Sequence, residues 1–129
     1  MAFSLNSLDI GASVPLEYMP CKAMTPSHGM AMCVAGGMLA AATGTIKPTY
    51  ICACKKDIPC KAGQIIPVIR VGGHQIFKVE SASDLSNLAA GDIVALHASN
   101  GMDIVAAKNA DGHCEIVRID GNTAYVRFI

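Results

Sequence analysis

The sequence predicts an all-β fold: a small barrel or sandwich built from β-hairpins, with an extended N-terminal arm over residues 1–20 and a single domain over residues 21–129. Three observations carry that expectation. Glycine pairs recur between apolar runs, alternation of period two marks the last segment, and no stretch of convincing helical periodicity occurs in the 129 residues.

The arm comes first. Residues 1–20 hold Pro15, Pro20, little charge and scattered apolar residues such as Phe3, Leu5, Leu8, Leu16 and Tyr18. With so little pattern they are expected to pack on something other than the domain's own core. Three segments then share one plan, a Gly, an apolar run, a Gly-containing turn and a second run. The first covers residues 28–40 with Gly36-Gly37 at its turn, the second residues 62–79 with Gly72-Gly73, and the third residues 90–105 with Asn100-Gly101. Gly-Gly and Asn-Gly admit positive φ at both central positions of a type I′ turn, so each segment reads as a hairpin. Pro67, lacking an N–H, is expected to break or edge the second one.

Between the first two, Pro48 to Cys54 reads as a further strand. Ser83 to Leu88 reads as a short helix or a turn. A fourth hairpin runs from Glu115 through Asp120-Gly121-Asn122 to Ile129, and its second strand places Ala124, Val126 and Phe128 on one face. The count is about eight or nine strands. The repeated segments begin at Gly29, Gly63 and Gly91, spaced 34 and 28 residues apart. That irregularity speaks against a solenoid.

Composition narrows the functional classes. Hydrophobic residues make up 52% of the chain and charged residues 16%, against roughly 25% charge in an average soluble domain, and the mean hydropathy is +0.41. Ten basic residues balance ten acidic ones, so no net field draws phosphate backbones or anionic lipid, and nucleic-acid binding is not expected. The most apolar stretch, residues 30–43, is interrupted by Gly36-Gly37 and falls short of the roughly 20 residues that span a bilayer. The N-terminus lacks the basic and apolar regions of a signal peptide. The six cysteines are therefore expected to be thiols inside a cell. An apolar, neutral surface of this kind suits burial against partners.

Candidate chemistry is sparse. Cys52, Cys54 and Cys60 form the densest group of potential ligands, but C-x-C on a strand departs from the C-x2-C spacing of zinc sites, and the pair reads as two small apolar side chains in a core. Cys21 and Cys33 flank His28 without a supporting spacing. His28, His74, His97 and His113 supply imidazoles, yet no nucleophile elbow accompanies them. Asp84, Asp92, Asp103, Asp111 and Asp120 mostly adjoin Gly or Ser at turns. Gly36-Gly37 and Gly72-Gly73 match no phosphate-binding loop. Met30 and Met32 share a strand face and read as flexible core filling. No catalytic, cofactor-binding or metal residue is assigned, and no cofactor is expected.

The order of pieces carries a resemblance. The apolar arm is followed by Gly29-Met30-Ala31-Met32-Cys33-Val34-Ala35-Gly36-Gly37-Met38-Leu39. Then come Thr43-Gly44-Thr45-Ile46-Lys47-Pro48-Thr49-Tyr50-Ile51-Cys52 and Gly63-Gln64-Ile65-Ile66-Pro67-Val68-Ile69-Arg70-Val71. This sequence of elements resembles the small decoration, or cementing, proteins of tailed bacteriophages and prophages, across most of residues 20–129. The resemblance implies a non-enzymatic virion protein, made in the bacterial host cytoplasm and placed on the capsid exterior. It would form a homotrimer and bridge subunits of the major capsid protein, with the arm lying over its neighbours. The six cysteines depart from that family. They leave two other readings, a small metal- or thiol-dependent domain using Cys52, Cys54 and Cys60, and a β-barrel adaptor that binds protein.

Overall fold

A computed structural model describes residues 2–8 and 15–129. Among the described residues there are eleven strands and no helix. The fold is all-β, as the glycine punctuation and alternation predict, with strands in two sheets.

The first sheet is a closed five-stranded barrel. Its strands are β2 (Leu16–Cys21), β3 (Ala31–Ala35), β4 (Met38–Ala41), β5 (Tyr50–Cys52) and β6 (Gln64–Arg70), in the order β2-β4-β3-β5-β6. Four of its junctions are antiparallel; β2 and β4 run parallel and meet at Cys21 and Leu39. The second sheet is open and antiparallel. It orders β1 (Ser4–Leu8), β7 (Gln75–Glu80), β11 (Thr123–Phe128), β10 (Cys114–Asp120), β8 (Ile93–Leu96) and β9 (Ile104–Lys108) from edge to edge.

The expected arm is corrected by these pairings. Ser4–Leu8 lies along β7, with a register shift between Leu5 and Ser7, and Leu16–Cys21 closes the barrel against β6. Phe3 is 1% exposed. Its ring meets Phe128 edge-on at 5.0 Å between centroids, and Phe128 in turn meets Phe77 at 5.4 Å. Residues 2–8 and 15–20 are thus part of the fold itself, because each backbone segment finds a ladder within the chain and Phe3 finds an apolar site there. Residues 1 and 9–14 of the expected arm lie outside the described residues.

Glycine plays different parts at the three expected turns. At Gly36-Gly37 both φ values are positive, 62° and 80°, and Ala35 pairs with Met38, so a two-residue turn joins β3 to β4 as a type I′ hairpin requires. Gly72-Gly73 does not close a hairpin. β6 pairs with β2 and β5, whereas β7 pairs with β1 and β11, and neither glycine has positive φ. The segment is a crossover between the two sheets, held by the buried Gln75. That side chain accepts a bond from Gly72 N–H at 2.8 Å and donates one to the Arg70 carbonyl at 3.0 Å. The third segment does pair as a hairpin, β8 with β9, but through a loop over 97–103. There Gly101 is needed for space: a Cβ would stand 2.5 Å from the Ala31 carbonyl oxygen and 2.8 Å from that of Ala42. The Gly101 carbonyl accepts the Ala31 N–H at 2.7 Å, which docks this loop on the barrel.

The fourth hairpin forms as expected, with Asp120 opposite Thr123 and with Ala124, Val126 and Phe128 buried on one face. Ser83 to Leu88 is a turn, with the Asp84 carboxylate accepting the Ser86 N–H at 2.9 Å. Pro67 does not break β6. The Ala53 N–H donates to the Pro67 carbonyl at 3.0 Å, and proline has no N–H to return the second bond, so the β5 ladder ends at Cys52.

Two apolar clusters result. One joins the open sheet to the barrel, combining Phe3, Phe77, Val126 and Phe128 with Ala31, Ala42 and Ile51. The other fills the barrel, with Cys21, Met32, Leu39, Cys52, Ile66 and Val68 among its members.

Deleting residues 1–20 removes both β1 and β2 and is expected to abolish the cooperative thermal transition followed by circular dichroism; a truncated chain that melts like the parent refutes their placement. Phe3→Ala is expected to cost about 3–5 kcal/mol in urea unfolding. Gly101→Ala is expected to cost about 1–3 kcal/mol through overpacking, while Gly73→Ala, with open space around its Cα, stays within about 0.5 kcal/mol of the parent.

Candidate functional site

Pairing of β2 with β6 sorts their side chains into two sets, since residues directly opposed in an antiparallel ladder share a face. Met19 opposite Ile66 and Glu17 opposite Val68 belong to the inward set, with Cys21 opposite Gln64 at its end. Ile66, Val68 and Cys21 are buried there. Leu16 opposite Ile69, Tyr18 opposite Pro67 and Pro20 opposite Ile65 form the outward set. Six apolar side chains in three consecutive cross-strand pairs therefore face away from the barrel core. Tyr18 is 66% exposed, Ile65 57% and Leu16 49%, and Ile58 on the following loop is 58% exposed. Single exposed apolar residues are ordinary on protein surfaces, but a contiguous ladder of them marks a contact surface.

Polar closure at one end of the barrel comes from Glu17 and Arg70. The Arg70 guanidinium donates to both Glu17 carboxylate oxygens, at 2.8 and 2.9 Å, which holds the Glu17 carboxyl below its ordinary range. It also lies over the Tyr50 ring at 5.2 Å from the centroid. This pair faces water, so its role is to orient side chains more than to add stability.

The other end is built from sulfur. Cys21, Cys52, Cys54 and Cys60 pack in the barrel cluster together with Met24 and Met30, and all are free thiols. The expected group of Cys52, Cys54 and Cys60 is brought together, and Cys21 joins it. Two backbone bonds tie the segments that carry Cys21 and Cys60, Gly63 N–H to the Cys21 carbonyl and Cys60 N–H to the Met24 carbonyl, each 2.8 Å. The Cys54 N–H points at the Cys52 sulfur at 3.4 Å, and the Cys60 thiol points at the Ile58 carbonyl oxygen at 3.9 Å. A signal for Cys21 does exist in the sequence: Pro20-Cys21-Lys22-Ala23 and Pro59-Cys60-Lys61-Ala62 repeat one tetrapeptide.

Burial, followed by the neighbouring Cys60 thiol, pushes the Cys21 thiol up to about 11. Burial pushes Cys52 to about 12, and the same cause raises Cys114, inside the open-sheet core, to about 12. Among the described residues, no group of three or more His, Cys, Asp and Glu side chains is arranged to hold a metal ion.

The remaining expected candidates are dispersed. His28 Nδ1 lies 3.0 Å from the Cys54 carbonyl oxygen, and His113 Nδ1 lies 2.9 Å from that of Ile129. His97 Nδ1 stands 2.9 Å from Ser99 Oγ, a Ser–His contact that no sequence motif marks. The same nitrogen is 3.2 Å from the Ser99 N–H, so the arrangement is a local loop contact. Among the described residues no carboxylate is hydrogen-bonded to the His97 ring, so no triad forms there; the Asp103 carboxylate instead accepts the Ala82 and Ile104 N–H groups at 3.1 and 2.7 Å. Among the described residues no helix is long and apolar enough to cross a membrane. No protein-family model matches the sequence, and no curated protein matches it either.

The raised thiols set a direction for stability against pH. Above about pH 9 the thiols of the unfolded chain ionise, while Cys21, Cys52 and Cys114 stay protonated in the fold up to about 11 or 12. The native state then binds more protons than the unfolded one, so stability falls as pH rises through this window. Urea midpoints are expected to decline steadily from pH 9 upward, and Cys114→Ala to show a shallower decline; a midpoint independent of pH over that range contradicts the assignment.

Proposed function

We propose that this chain is a non-enzymatic structural protein of a tailed-phage or prophage virion, which decorates the capsid exterior and stabilises it by bridging subunits of the major capsid protein. The observation that carries the reading is the outward ladder of Leu16, Tyr18, Pro20, Ile65, Pro67 and Ile69 on β2 and β6. A rigid, paired sheet face of this kind loses little conformational entropy on contact, and its apolar side chains gain by leaving water. Zero net charge suits a protein that packs beside copies of itself, and the homotrimer belongs to the same proposal. Production in the host cytoplasm before attachment to the shell is also part of it.

Bridging in this reading falls to the barrel face, since residues 2–8 and 15–20 are committed to the chain's own ladders. A stable contact buries about 800 Å² on each partner, and the ladder with the adjoining Ile58 loop would lie within it.

Four clustered thiols favour a second reading, a small thiol- or metal-dependent domain using Cys52, Cys54 and Cys60. Stoichiometric zinc or copper in the purified chain would move the assignment to it.

The double variant Tyr18→Lys with Ile65→Lys tests the first reading. It places two charges on the ladder while leaving the inward face untouched, so its melting temperature is expected to match the parent. Co-sedimentation with shells assembled from the major capsid protein of the same phage is expected to weaken at least tenfold, on the order of 1.4 kcal/mol. Undiminished binding by a folded double variant overturns the assignment of this face.

A further inference from the structure

We infer that the partner surface which meets the barrel face is acidic, and that it seats an apolar side chain in the cleft beside Ile58 and Ile65 while its carboxylates meet the lysines around that cleft. The capsid role proposed above is the premise, and what is added is the chemistry of the partner.

The charges of the chain cancel in sum but not in place. Residues 15–71, which hold the five barrel strands, carry six basic side chains against two acidic ones, Glu17 and Asp57, whereas residues 72–129 carry four basic against seven acidic. Glu17 is already bonded to Arg70. The remaining barrel cations gather mainly at the sulfur-rich end, where Lys22, Lys55, Lys56 and Lys61 are all exposed. Among the described residues none of these four makes an ion pair. Lys55 and Lys56 line the cleft. The Lys61 N–H donates at 3.1 Å to the side chain of Gln64, which also lines it, and Lys22 follows Cys21, the ladder partner of Gln64. Asp57 is the acidic residue of the same loop.

The cleft itself, about 350 Å³, is walled largely by Ile58, Cys60, Ile65, Ile66 and Pro67. Ile65 and Pro67 belong to the outward ladder as well, so ladder and cleft are one continuous apolar surface with a cationic rim at one end. Protein interfaces have this anatomy, an apolar centre inside a charged border. Rim ammonium groups steer carboxylates during approach, and an apolar side chain entering the cleft gains by leaving water. Both barrel neighbours of β2 and β6 are filled by strands of the same chain, so side chains, and not an added strand, hold the partner. A nucleic-acid strand suits this face less well, since stacking calls for a series of aromatic rings and Tyr18 is the ring that the ladder offers.

Co-sedimentation of the full chain with assembled shells at two ionic strengths tests this. Binding by the parent is expected to weaken at least tenfold between about 0.05 M and about 0.5 M salt, as rim charges are screened. At the lower salt, Lys55→Glu with Lys56→Glu is expected to lose about tenfold and to show a flatter salt dependence. Lys55→Arg with Lys56→Arg is expected to bind like the parent, and so is Lys78→Glu on the open sheet. These lysines are exposed, so each variant is expected to melt with the parent. Parent binding that ignores salt, yet is weakened by Tyr18→Lys with Ile65→Lys, overturns the acidic partner and leaves the capsid role standing. A parent that does not bind shells at all removes both. Undiminished binding by the folded Lys55→Glu, Lys56→Glu chain overturns the acidic partner, as does oligothymidine that displaces the chain from shells at low salt, which would make the lysines a nucleic-acid contact.

Discussion

Closure of the barrel by β2 is the constraint on which the rest of the molecule depends. A six-residue ladder to β6 and a parallel contact with β4 satisfy the backbone of residues 16–21 inside the chain. That one pairing has three consequences. It withdraws the N-terminal segment from use as a free arm, it turns Leu16, Tyr18 and Pro20 outward beside Ile69, Pro67 and Ile65, and it carries Cys21 to the end of the barrel where Cys60 waits. A slip of one residue in its register would bury Tyr18 and expose Met19 and Cys21, so the inward apolar set fixes the outward one.

The joint between barrel and open sheet rests on small residues and aromatic rings together. Ala31, Ala42 and Gly101 allow backbones to approach within hydrogen-bonding distance, while Phe3, Phe77 and Phe128 fill the volume alongside. This explains how a chain that is 52% hydrophobic and 16% charged uses its Ala and Gly content. A few of these residues, Ala31, Ala42 and Gly101, serve the close approach between the sheets, while others, such as Gly36, Gly37, Gly63, Gly91 and Gly121, stand at exposed turns. Of the exposed large apolar side chains, Leu16, Tyr18, Ile58 and Ile65 gather on one side of the barrel, while Val34, Ile46, Val105 and Ile129 lie apart from them.

Sulfur and charge divide the two ends of the barrel. Arg70, Glu17 and Tyr50 order one end through charge-assisted bonds and a cation–π contact. The opposite end has thiols and thioethers, which pack as small apolar groups yet retain chemistry. Three of its four cysteines, Cys52, Cys54 and Cys60, are legible from proximity in sequence. Cys21 lies 31 residues before Cys52, and only the parallel and antiparallel ladders of β2 bring it there.

By itself the sequence determined what local rules can decide: an all-β chain, the Gly36-Gly37 hairpin, the C-terminal hairpin with its buried Ala124, Val126 and Phe128, and the neutral charge. In each case the deciding residues are neighbours, through positive φ or period-two alternation. Tertiary structure decided which strands pair across distance. Gly72-Gly73 has the composition of a turn, but Gln75 holds it as a crossover because β6 and β7 each find better partners elsewhere. The scattered apolar residues of the N-terminus show no pattern of their own because their partners, β7, β6 and Phe128, are supplied by the rest of the chain. Ladder partners so far apart in sequence leave no local trace, so the contact face and the sulfur cluster emerge only when β2 closes the barrel.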